Sequence, residues 1–145
     1  MKPTLSYLLL KNSFVTELRI SANPKYKITQ KAILDFEDLQ VESHVLRPPK
    51  EGYDWQVTLQ ISYAGKAKCN VPYSFRIEIV GHFDVAKGFP RDEIEKFVRV
   101  NGSSVLYSSA REILKGAMSS GPFAQIVLPA VSFMSASAKV NPKGR

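Results

Sequence analysis

The chain has one cysteine, two histidines and no long apolar run near its start, and each shortage removes a class of explanation. Cys69 alone cannot form an internal disulfide. It sits in the Gly65 to Asn70 connection with no histidine nearby, which fits a reducing compartment. Tyr7 to Leu10, closed by Lys11, is too short for a signal-peptide core and far too short to span a bilayer, so the chain reads as cytoplasmic, with no membrane partner. His44 and His82 belong to no spacing that places two ligands one helical turn apart, and no metal site is expected. Glu42 near His44 and Asp84 near His82 are conceivable acid–base pairs, but such pairs arise freely on solvated sheet faces. The pairs Ser103–Ser104, Ser108–Ser109 and Ser119–Ser120 lack a nucleophile-elbow context, and the glycines lack phosphate-cradle spacing. No catalytic residue and no cofactor follow from these residues, and the chain is not read as an enzyme.

What is present is enough apolar material for a core. The 145 residues are 44% hydrophobic and include fifteen aromatics, which suits a single domain over 1–145, ending in a short flexible basic tail at about 139–145; a chain of this size buries roughly 70% of its unfolded surface. Lys and Arg outnumber Asp and Glu by 20 to 13, a formal charge of +7, which raises the alternative of a small basic nucleic-acid-binding or adaptor domain. The cations are spread over Lys25, Lys27 and Lys31, over Lys66 and Lys68, and over Lys139, Lys143 and Arg145. No helix presents a basic stripe and no aromatic RNA-binding signature is present, so dispersed surface charge is the preferred reading, against nucleic acid.

Three stretches alternate with the period of a half-buried strand. Trp55, Val57, Leu59, Ile61 and Tyr63 face one side; Tyr73, Phe75, Ile77, Ile79 and Phe83 do the same after a short polar loop, which predicts a β-hairpin. Gly81 falls on the apolar side, as a bulge or a close approach. Phe14, Leu18 and Ile20 mark an earlier strand, and Leu39, Val41 and Val45 another, ended by Pro48–Pro49. Leu106, Ala110, Ile113 and Ala117, with Leu114 and Met118 beside them, form the apolar stripe of a helix over about Ser104 to Ser120. Gly121 is expected to end it in a left-handed conformation and Pro122 to keep it from resuming. Pro90 opens a shorter helix that Asn101–Gly102 should end. Strands followed by helices predict an α+β fold: a four-stranded antiparallel sheet with helices packed on one face.

The stretch from Ala110–Arg111–Glu112 through Gly121, Phe123, Gln125, Leu128, Val131 and Phe133 resembles the C-terminal half of SecB, the bacterial protein-export chaperone, with Pro129–Ala130 inverting the family's Ala-Pro. Gly81–His82–Phe83 and Glu17–Leu18–Arg19–Ile20 fit the same family upstream, so that the resemblance spans about residues 12 to 134. It implies an ATP-independent chaperone that holds unfolded or nascent polypeptide clients in apolar grooves, for export or for a dedicated client such as an antitoxin. It also implies a homo-oligomer built as a dimer of dimers. By that resemblance, client contacts fall on Leu39, Val41, Phe123, Leu128, Val131 and Phe133, and Phe75, Ile77 and Ile79 match positions tied to assembly. The family meets the SecA motor through acidic sheet positions. Glu17 keeps one of these, while Ser21 and Arg76 replace two others, which argues against SecA as a partner.

Overall fold

The computed structural model describes residues 2–50, 54–66 and 68–134, and the backbone of Lys139 and Val140. Its strands are β1 (Leu8–Ala22), β2 (Gln40–Leu46), β3 (Trp55–Tyr63), β4 (Tyr73–Val85) and the two-residue β5 (Lys139–Val140). They form one sheet in the order β1-β4-β3-β2-β5, with every neighbouring pair antiparallel. The predicted hairpin is β3–β4, with Ile61 opposite Ile77 and Leu59 opposite Ile79. The α+β class and the four-stranded antiparallel core are as expected, and β5 extends the sheet beyond β2. Of the anticipated basic tail, residues 141–145 lie outside the described residues.

β1 is longer than its alternation announces. Two register shifts, between Leu10 and Asn12 and between Val15 and Glu17, carry it along the whole of β4. Each shift inserts a residue and slips the period of two, hiding the strand's early part from a pattern search.

One face of the sheet is dry. Val41 and Ser43 of β2, Val57, Leu59, Ile61 and Tyr63 of β3, and Tyr73 to Phe83 at alternate positions of β4 are buried there. Their cover is helical. A 3-10 turn (Arg91–Glu93), α1 (Ile94–Phe97), a π turn (Val98–Gly102) and α2 (Ser103–Met118) follow one another without a break. Asn101–Gly102 therefore does not end the first helix. The glycine has a packing reason instead: a Cβ on Gly102 would stand 3.1 Å from Val57 Cγ2, and one on Gly81 would stand 2.7 Å from Phe83 and 2.8 Å from Leu106. The two glycines let helix and sheet backbones approach closely. Leu106, Ala110, Leu114 and Met118, spaced by four, are the buried stripe of α2, while Ile113 and Ala117 are half-buried at its rim.

Gly121 also differs from expectation. Gly88 is the only residue with positive φ among those described, so Gly121 is not left-handed. α2 ends by tightening, with Ser120 N–H donating to Ala117 O and Gly121 N–H to Met118 O. What demands glycine at 121 is the hydroxyl of Tyr73, into which a Cβ would run.

Candidate functional site

After Gly121 the chain turns back as an irregular hook, and its anchors are specific. Tyr73 Oη accepts from Phe123 N–H at 2.8 Å and donates to Phe123 O at 3.0 Å. Tyr107 Oη donates to Pro129 O at 2.6 Å, and its ring meets Phe133 edge-on at 5.9 Å. Burial raises the Tyr107 hydroxyl to about 12, so it stays neutral and holds its proton for that carbonyl. Ile126 N–H donates to Met118 Sδ. An irregular segment has no ladder to satisfy its backbone, and two tyrosines from the sheet and helix supply the missing partners.

Leu39, Val41, Leu128 and Phe133 are buried in one core cluster with the hook, while Phe123 and Val131 are half-buried at its border. All six belong to or border the one core of the domain, but they are spread along it: Phe123 packs against Tyr73 and Tyr26 near the end of α2, and Phe133 against Tyr107 near its start. Val127 and Met134 point outward, 65% and 68% exposed. Phe75, Ile77 and Ile79 lie on the dry face of β4, inside the chain's own core.

A second apolar surface was not legible in the sequence. β1 ends the sheet, and its outer edge pairs with no strand among the described residues. Leu10, Val15 and Leu18, opposite Phe83, Ile79 and Ile77 and hence on the helix side, remain 38–46% exposed, because α2 covers the sheet's middle and not its edge. Between β1 and α2 runs a cleft with two widenings. One of about 620 Å³ is lined by Phe14, Val15, Ile79 and Ile113 together with the polar Ser13, Ser108, Ser109 and Glu112; the other, of about 400 Å³, by Leu18, Ile20, Ala117 and Met118 among others.

The opposite face of the sheet is polar and electrically mixed. Glu17 is bound by both Arg19 and Arg76, and these hydrogen bonds, that from Arg19 first, hold its carboxyl below the ordinary range. Glu78 accepts from Gln60 and Thr16, at 2.8 Å each, and is likewise lowered. His44 stands 3.7 Å from Glu42 at the surface, whereas His82 turns to Gln56 and the ring of Phe14 and not to Asp84. Among the described residues no three His, Cys, Asp or Glu side chains gather as metal ligands, and no helix is long and apolar enough to cross a membrane.

An antiparallel sheet capped on one face by a helix, with a clamped apolar hook after it, is by class an α+β domain. The chain belongs to the SecB family: the family model described as preprotein translocase subunit SecB matches residues 8–139. Among solved structures, the Mycobacterium tuberculosis SecB-like chaperone Rv1957, in complex with a ChAD peptide from the Rv1956 HigA1 antitoxin, shares the fold. The TM-score is 0.65 at 15% identity, over 87% of this chain and 91% of that one. A Streptococcus agalactiae protein of unknown function aligns at a TM-score of 0.40 and 9% identity, over 88% and 100%. No curated protein matches significantly in sequence.

Proposed function

We propose that the protein is a chaperone that holds unfolded polypeptide segments against apolar surface, without nucleotide and without altering them. The observation that carries the reading is SecB family membership over residues 8–139, joined to a hook whose border residues Phe123 and Val131 are half-open. Unfolded clients offer apolar side chains and unpaired backbone, and a surface made of apolar rims and strand edges accepts both with little demand on sequence. In this proposal Phe123 and Val131 make the first contacts. Leu39, Val41, Leu128 and Phe133 become available as the hook yields. An antitoxin peptide is the partner of Rv1957; a dedicated client of that kind is one form the function takes, and general export the other.

The proposal includes self-association through the apolar cleft beside β1. Of the assembly positions on β4, Ile79 lines it, while Phe75 and Ile77 support the sheet from within the core. Covering Leu10, Val15 and Leu18 with a second copy removes an exposed sheet edge.

The test is light scattering of a chemically denatured protein diluted into nucleotide-free buffer. Suppressed scattering at stoichiometric protein is the expected result. Equal scattering with and without it contradicts the proposal.

A further inference from the structure

Five lysines that are far apart in sequence share one end of the sheet. Lys25, Lys27 and Lys31 lie in the connection after β1, and Lys66 and Lys68 in the β3–β4 loop. Asn70 joins the two. Its side chain donates to Lys27 O at 3.1 Å and Lys31 O at 3.2 Å and accepts from Lys27 N–H at 2.9 Å, and its carbonyl accepts from Ile33 N–H. Asn23 completes the seam, donating to Val71 O and Pro72 O. Residues 22–34 and 64–72 contain no acidic residue, and the acids of the same connection, Asp35, Glu37 and Asp38, follow beyond Leu34. Lys66 pairs with Asp38 at 3.5 Å, and no ion pair of Lys25, Lys27, Lys31 or Lys68 occurs among the described residues. Lys25 and Lys66 line one cavity of about 560 Å³. The charge that seemed dispersed along the sequence is in part a concentrated pole.

This pole adjoins the hook. Tyr26, between two of the lysines, packs its ring 4.7 Å from that of Phe123. Ile28 and Ile33, interleaved with the lysines, are 73% and 55% exposed. From these contacts we infer that the protein selects polypeptide clients in which an acidic stretch flanks an apolar segment: the apolar part lies against the hook at Phe123, and the acidic flank lies on Lys25, Lys27, Lys31 and Lys68. The inference rests on the chaperone reading and adds a chemical class of client to it. Complementary charge speeds encounter and fixes the direction of the bound chain. A polypeptide is favoured over nucleic acid. The pole holds lysines alone, point charges without the planar fork of arginine, and Tyr26, its one aromatic, is engaged by Phe123 and does not offer an open platform for a base.

The experiment is fluorescence anisotropy with two labelled peptides that share an apolar core and differ only in flank, glutamate-rich or glutamine-rich, on the wild-type protein and on a Lys25→Gln/Lys27→Gln/Lys31→Gln variant. The glutamate-flanked peptide should bind the wild type roughly tenfold more tightly at low salt, and the advantage should vanish in high salt and in the variant. The glutamine-flanked peptide should bind both proteins equally, which also reports that the variant is folded. Equal binding of the two flanks overturns the inference and leaves the chaperone reading standing. A single-stranded RNA of matched charge that displaces the acidic flank more effectively than a glutamate peptide overturns it in favour of a nucleic-acid site. Failure of both peptides to bind the wild type overturns the inference and the chaperone reading together.

Discussion

Arg76 Nε donates to Glu17 Oε1 at 2.7 Å from β4 to β1, and Arg19 binds the other carboxylate oxygen of the same residue. Arg19 and Arg76 are cross-strand neighbours, and Glu17 separates two like charges that would otherwise repel. The one negative charge of Glu17 is therefore shared by two arginines. A partner that reads negative charge on this face finds a mixed one, and a mismatch of that kind lowers affinity and slows encounter.

Calorimetric titration with SecA should thus give no measurable heat at concentrations where an unfolded peptide titrates fully. Submicromolar SecA affinity that is lost on Glu17→Gln would show that this carboxylate remains available despite its arginines.

Tyr73 should be the residue on which the hook's position depends most. Tyr73→Phe removes both hydrogen bonds to Phe123 and leaves its half-buried N–H to find another partner, a loss of about 1 kcal/mol. Urea unfolding should report that loss, and proteolysis should cut the 122–134 segment sooner. Unchanged stability and protection would mean that apolar contacts alone seat the hook.

Stability should fall as pH rises above the ordinary tyrosine range. Tyr107 has its pKa raised to about 12 in the fold against roughly 10 in the unfolded chain. Between these values the unfolded chain loses a proton that the folded one retains, so the contribution is whole below pH 10 and is lost as pH approaches 12. Denaturant midpoints measured from pH 9 upward should decline. Tyr107→Phe should be less stable at pH 8, lacking the bond to Pro129, and should decline less steeply.

Light scattering on a sizing column should give a mass that is a multiple of 16.2 kDa. Val15→Glu with Leu18→Glu, in the cleft beside β1, should return it to one chain, since burying two carboxylates in an apolar contact costs several kcal/mol. A wild-type monomer at micromolar concentration would contradict the proposed assembly.

The parts of this fold that were readable are those in which a strict period meets a one-sided environment. β3 and β4 bury every second side chain, so Trp55–Tyr63 and Tyr73–Phe83 declared themselves, as did the spacing by four in α2. Glycine was the misleading signal. Gly102 sits inside a continuous helix under Val57 and Phe83 and is no stop, whereas the helix does end just before Gly121, not through a left-handed glycine but with Gly121 making room for Tyr73 Oη. A local rule describes the backbone alone and cannot see a neighbour distant in sequence. The clustering of lysines was hidden for the same reason, because Asn70 bonds across about forty residues to gather them. The six client positions were named through family resemblance. Which of them are buried and which half-open is a property of the fold that no spacing encodes.

The most direct measurement is calorimetric titration of one client in two states, compactly native and held unfolded, with no nucleotide present. The account predicts saturable binding of the unfolded form, weakened by Phe123→Ala, and no binding of the native form. Binding of both states with equal affinity, or of neither, would contradict it.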